Sequence, residues 1–295
     1  MLTIRSESLN KKEHIVLENK SKSSALSICL DEGGRIVDLK LKGKSIIKEQ
    51  VNFKYKTSYA SSILFPFANR IRNGNYTFLG KIYQLSKNEN NSNAIHGLVF
   101  NKKFQVTKYE FIDNSCSVTL KYDEKSKIKG FPFTYTIFLK YTLSENELKL
   151  KITIKNTDTN PFPFTLGWHP YFNCNDFSKA FLKFKSDKKI VFDDKLITKS
   201  IQNIDEIVKL ELGGKQLDNC FILNTNEVHF ITEDYSLKLT SDAVKNYLQL
   251  YTPKDIPVIA IEPMTGISDS FNNKIGLQVL NPNKSHTVNW NIKLI

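Results

Sequence analysis

The chain has 295 residues, with 40% hydrophobic and 24% charged residues and a formal charge of +12. That length buries roughly three quarters of the unfolded surface, so the core needs no disulfide or metal staples, and the composition is that of a soluble globular protein rather than a disordered chain. Only four of the 42 basic residues are arginines, and the lysines are scattered, often alternating with apolar residues; a nucleic-acid footprint would be clustered.

In chain order, "MLTIRSESLNKKEHIVLENK" offers no apolar stretch of signal-peptide length. No run reaches the ~20 apolar residues of a membrane span, so no membrane partner and a cytoplasmic location are expected. "LSICLDEGGRIVDLKLKGKSII" reads as a hairpin with Gly33 and Gly34 at its turn. "FPFANRIRNGNYTFLGKIYQL" then holds two arginines within three residues. Arg72 fits a surface turn at "RNGN", whereas Asn69 and Arg70, flanked by Phe67, Ala68 and Ile71, suit a buried polar role. In "NAIHGLVF", His96 precedes a conformationally free glycine; alone, it reads equally as a core histidine.

Strands are predicted at 104–112 and 116–123, and "FTYTIFLKYTLSENELKLKITIKN" reads as a hairpin turning at "SENE". There Leu148, Leu150, Ile152 and Ile154 alternate with Lys149, Lys151, Thr153 and Lys155, giving one face for a core and one for water. "TLGWHPYFN" sets His169 among aromatics, with Pro170 restricting its backbone. Trp168, Tyr171 and Phe172 are flat walls for the C–H face of a sugar, or else an aromatic core around an incidental histidine.

Further strands are predicted at 180–186, 227–232, 235–241 and 247–252, with a short helix in "IQNIDEIVKLE". "VIAI" reads as a buried strand ending at Glu262, a carboxylate that is paired, at a rim, or functional. Asp269 and Asn272 are expected to hold the loop that follows. Val288, Trp290, Ile292 and Leu294 close the chain in the same alternation. Cys29, Cys116, Cys174 and Cys220 include no C-x-x-C pair and are expected to be reduced, partly buried thiols. Many short strands and few helices predict an all-β fold of packed antiparallel sheets, a large β-sandwich, and no linker or repeat divides the chain, so a single domain over 1–295 is expected.

Together, "ANRI" followed by "G-x-Y" and "G-x-x-Y-x-L", then "HG", "HPYF", "LDNCF", "LQLYT", and "EP" followed by "DSFN", resemble the aldose 1-epimerase (mutarotase) family in order and spacing, from about residue 60 to residue 282. The resemblance implies the galactose mutarotase-like supersandwich and a cofactor-free, metal-free interconversion of the α and β anomers of a free hexose. It implies Glu262 as general base, His169 as general acid, and His96 near the ring oxygen. Asn69, Arg70, Asp218 and Gln249 would hold the sugar's hydroxyls. Glu262 is expected to favour the imidazolium of His169 if the two are close. The partner is then a small sugar, with the protein a monomer or homodimer. The segment "EPMTGISDSFNN" departs from the best-known galactose mutarotases, which leaves the sugar unassigned. Three alternatives carry their own tests: a hexose-6-phosphate 1-epimerase, a non-catalytic carbohydrate-binding protein of the same fold, and a metal site on His96, His169 and Glu262.

Overall fold

The computed structural model describes residues 2–295. Antiparallel sheets account for nearly all regular structure. A five-stranded meander runs Leu2–Leu9, Lys12–Asn19, Ala25–Cys29, Arg35–Leu41 and Lys44–Lys48. The predicted turn at Gly33 and Gly34 is there, both glycines at positive φ. A Cβ on Gly33 would lie 2.8 Å from the carbonyl oxygens of Val99 and Phe100, so this turn packs too closely for a side chain.

The second sheet has nine strands. Gln105–Ile112, Ser115–Glu124, Tyr135–Leu143 and Glu147–Asn156 form a meander, the C-terminal Ser285–Leu294 pairs with its last strand, and Ser236–Ser241, Glu227–Ile231, Phe181–Lys183 and Leu210–Glu211 follow. The alternation reaches the core as predicted. Leu148 pairs with Ile292, Leu150 with Trp290 and Ile152 with Val288, all buried, while Lys149 and Lys151 face water. Burying each such aliphatic side chain is worth about 1.5–3 kcal/mol.

The third sheet carries the site. Its order is Thr198–Ile207, Ser186–Phe192, Asp218–Ile222, Tyr247–Tyr251, Val258–Met264, Gly167–Trp168 and Ile63–Leu64, with Tyr171–Asn173 also paired to Val258–Met264. Its inner face packs on the nine-stranded sheet, and one connected apolar core runs from Ile15 to Ile292. Trp168 from one sheet and Trp290 from the other lie nearly parallel there, 6.4 Å apart.

Two expectations fail. Residues 201–211 are not helical: Thr198–Ile207 is an edge strand with Ile190 opposite Ile201. Two register shifts put extra residues into it, so its apolar residues fall three apart and imitate a helical period. The predicted strand 180–186 turns a corner, Phe181–Lys183 lying in the nine-stranded sheet and Ser186–Phe192 in the third.

All four arginines pair with carboxylates: Arg5 with Glu7 and Glu18, Arg35 with Glu32 and Glu49, Arg70 with Glu89, and Arg72 with Asp193. The four cysteines are buried and free. Among the described residues no helix is long and apolar enough to cross a membrane.

Candidate active site

The outer face of the third sheet is the floor of a cavity of about 450 Å³, within the usual range for small-molecule sites, about 300–1,000 Å³. Glu262 lies inside the strand Val258–Met264 rather than at its end, opposite Gln249, which in turn is opposite Cys220. Asp218 is paired with Tyr251 in the neighbouring row. Period-two geometry therefore presents Asp218, Gln249, Tyr251 and Glu262 on one face.

His169 sits between two short strands. Its N–H donates to Ser62 O (3.0 Å), and its carbonyl accepts from Ser61 N–H (2.7 Å). Held at both ends, it points into the cavity while Trp168 points into the core. Of the aromatic walls expected beside it, only Tyr171 lines the cavity, stacked on the imidazole at 4.9 Å; Trp168 and Phe172 belong to the core.

His96 arrives from the opposite wall. Residues Ala94–Ile95 pair with Arg70–Ile71, and His96 N–H donates to Asn69 O at 2.9 Å. Asn69 and His96 both take left-handed backbone, φ 57 and 61, an uncommon conformation outside glycine. Gly97 is obligatory beside them, because its Cβ would stand 2.2 Å from Phe65 O. The His96 ring meets that of His169 edge-on at 5.0 Å and packs on Tyr59 at 4.8 Å.

The polar floor is one chain of contacts. Gln249 Nε2 donates to Asp218 Oδ1 (2.7 Å), Asn69 Nδ2 to Gln249 Oε1 (3.5 Å), and Arg70 Nη1 to Asn69 Oδ1 (3.2 Å). Arg70 is also gripped by Glu89, its Nε lying 2.8 and 3.0 Å from the two oxygens and its Nη2 2.6 Å from one. Asp269 holds the following loop as expected, its Oδ1 accepting from Arg72 N–H (2.9 Å) and from Asn272 Nδ2 (2.7 Å). Arg72 lies on the surface turn.

His169 Nε2 is 3.4 Å from Glu262 Oε1, both side chains buried. Glu262 Oε2, His169 Nδ1 and His96 Nδ1 are buried without a hydrogen-bond partner. Burial pushes His169 down to about 3 and, with His169 and Arg70 adding to it, carries His96 well below its usual range. Burial, assisted by Asp218 and opposed by Arg70, lifts Glu262 well above the carboxylate range; Asp218 is raised for the same first reason. The expectation that Glu262 would favour an imidazolium is thus corrected: in the protein alone desolvation outweighs the neighbour, and both groups lean to neutral. Among the described residues no group of three or more His, Cys, Asp or Glu side chains is disposed to hold a metal ion.

The seven residues to which the family resemblance gives catalytic or sugar-holding roles all line this one cavity. Tyr59, Glu89 and Tyr251 line it too and were missed. Tyr251 was legible, two residues after Gln249 in a strand; the other two carried no local signal.

A family model described as "Aldose 1-epimerase" matches residues 13–293. The chain is 25% identical over 276 residues to the Escherichia coli K12 protein YihR, covering 88% of this chain and 87% of that one. It is 27% identical over 269 residues to an aldose 1-epimerase of Streptococcus thermophilus, covering 76% and 75%. A galactose mutarotase-like protein of Clostridium acetobutylicum superposes with a TM-score of 0.86 at 22% identity, covering 100% of this chain and 98% of that one; the architecture is therefore the galactose mutarotase-like fold.

Proposed function

The chain belongs to the aldose 1-epimerase family, and on that premise we propose that it is a mutarotase that opens and recloses the ring of a free aldohexose. The observation that carries this reading is the pair of His169 and Glu262, 3.4 Å apart on a buried cavity floor. Their free positions, Glu262 Oε2 and His169 Nδ1, and His96 Nδ1 opposite, have no partner in the protein. Unsatisfied buried polar atoms are destabilising, and a sugar's oxygens and hydroxyls would satisfy them.

Ring opening needs one base and one acid at the same moment. Glu262 takes the proton of the anomeric hydroxyl, His169 gives a proton to the ring oxygen, and the C1–O5 bond breaks to an aldehyde. After rotation about C1–C2, the C5 hydroxyl returns its proton to His169 as it attacks C1, and Glu262 returns its own to the new anomeric oxygen. The pair ends as it began. It needs one proton in total, and in the protein alone that proton favours Glu262. Sugar hydroxyls donating to the carboxylate favour its charged form, which moves the proton to the imidazole. Substrate binding thereby arms the pair. Asn69, Arg70, Asp218 and Gln249 fix the pyranose, and holding it correctly contributes as much to rate as the proton transfers do.

The test is polarimetry of freshly dissolved α-anomers across a panel of neutral aldoses. Mutarotation accelerated over buffer supports the reading. Sugar binding without acceleration would leave a carbohydrate-binding protein instead.

A further inference from the structure

Glu89 stands outside the acid–base pair, yet it is built into the site. It opens a tight turn in which Asn90 and Asn91 both take left-handed backbone, φ 45 and 56, and Ser92 N–H closes on Glu89 O at 2.7 Å. This is the geometry that Asn tolerates best after glycine. Behind the carboxylate, buried Asn93 donates Nδ2 to Glu89 Oε2 (3.1 Å) and accepts Asn73 N–H on its own Oδ1 (3.1 Å). The carboxylate is therefore fixed before any ligand arrives, and its two oxygens face the Nε and Nη2 edge of Arg70.

A guanidinium has five N–H donors. Glu89 takes one at Nε and one at Nη2, and Asn69 takes one at Nη1, which leaves two. The Nε/Nη2 edge, one of the two forks a guanidinium can offer a phosphate or carboxylate, is already filled, and Asn69 takes one N–H of Nη1 beside the other. Asp218 and Glu262 add two more carboxyl groups to the same cavity, against the exposed Lys56 at its mouth.

We propose that Glu89 is a positioning and specificity-determining residue: its carboxylate aims the two free N–H groups of Arg70 at sugar hydroxyls, denies the guanidinium's Nε/Nη2 edge to a substrate phosphate, and offsets the charge that would draw one in. The inference rests on the mutarotase reading and deepens it: the substrate is an uncharged sugar, and Glu89 makes it so.

The experiment compares wild type, Glu89→Gln and Glu89→Asp for mutarotation of glucose and glucose 6-phosphate, with inorganic phosphate as a competitor. Wild type should turn over glucose, discriminate against the phosphate, and ignore inorganic phosphate at millimolar levels. Glu89→Gln should raise KM for glucose roughly 10- to 100-fold, the span of one lost charge-assisted contact, with a smaller change in kcat. Its preference for glucose over glucose 6-phosphate should shrink at least about tenfold, and inorganic phosphate should begin to inhibit. Glu89→Asp keeps the charge and should keep the discrimination. Unchanged KM and discrimination in a folded Glu89→Gln, or equal behaviour of Gln and Asp, would overturn the proposal. So would tight phosphate binding by wild type, which needs no variant to fold. If wild type accelerates no sugar, the mutarotase reading fails, and calorimetric titration of glucose and glucose 6-phosphate into the same proteins still reads the selectivity.

Discussion

Trp168 and His169 are consecutive residues that look opposite ways. Trp168 enters the space between two sheets, 6.4 Å from Trp290, among aliphatic side chains. His169 enters the cavity, 3.4 Å from a buried carboxylate and stacked on Tyr171. On the core side the atoms without a partner include Trp168 Nε1, Asn246 Oδ1 and Tyr135 OH, none of which titrates near neutrality; on the cavity side they are Glu262 Oε2, His169 Nδ1 and His96 Nδ1, all on acid–base groups. One face of the sheet is arranged for stability. The other keeps acid–base groups unsatisfied, at a stability penalty that the proposed proton transfers would explain.

The sharpest way to break this comparison is to neutralise the cavity side. Glu262→Gln should lower kcat by about 10²–10⁴-fold, as loss of a general base does. It should also raise thermal stability at pH 7. The sign follows from Glu262's raised value: its contribution is complete below the unfolded carboxylate value and is lost as pH rises toward the folded one, so at neutral pH holding the buried carboxyl in its neutral form costs stability that an uncharged glutamine does not lose. The gain should be on the order of 0.5–2 kcal/mol. A variant that is both active and less stable would refute the division of labour. His169→Asn should lose a similar factor in kcat with sugar binding largely retained, read by calorimetry.

Trp168→Ala attacks the other face. It should remove about 3–5 kcal/mol of stability by leaving a cavity, measured by denaturant unfolding. Its remaining folded fraction should keep far more kcat than His169→Asn does. Equal losses would mean that the two faces are not independent.

A smaller effect is expected at His96. His96→Asn should raise KM and lower kcat together, about tenfold each, because a shifted sugar meets the acid and base poorly. The acid and base limbs of the pH–rate profile should both survive, as macroscopic values of the His169–Glu262 pair. If the base limb vanishes there and persists in His169→Asn, the two histidines exchange roles.

The smallest signal is a slope. Burial lowers His14, His96, His169 and His286. A histidine with a depressed folded value contributes stability that is complete above its unfolded value, about 6.5, and is lost as pH falls toward the folded value, about 3 for His169. The melting temperature should therefore start to fall below about pH 6.5, before exposed carboxylates titrate. His169→Asn should flatten that fall by one proton in a pH-series of melts.

The strands at 147–156 and 285–294 were legible because one side of each meets water and the other hydrocarbon. The edge strand at 198–207 was not, since bulges destroyed its period. The seven residues that the family motifs assign to the site line the cavity, because those motifs fall on strand faces and turns that converge, whereas Trp168 and Phe172, named as aromatic walls, turn into the core. Glu89 did not announce itself: its grip on Arg70 spans 19 residues and exists only once the turn at Asn90 and Asn91 is folded. The protonation of the His169–Glu262 pair escapes the sequence for a related reason. Proximity was foreseeable, but the depth of burial that reverses its effect was not.

Glu262 and His169, the residues to which we assign the proton transfers, stand on or between paired strands, whereas Lys56–Tyr59, Asn88–Asn90 and Leu196 wall the cavity from a one-turn helix and two loops. Strand residues are hard to alter without disturbing neighbouring rows, and loop residues are easy. On the mutarotase reading, a lineage built on this plan can exchange its preferred sugar by drift in three short segments while its reaction stays fixed. For an engineer the same division marks where to randomise: libraries at those segments, with Glu89 kept, should return altered appetites in proteins that still fold.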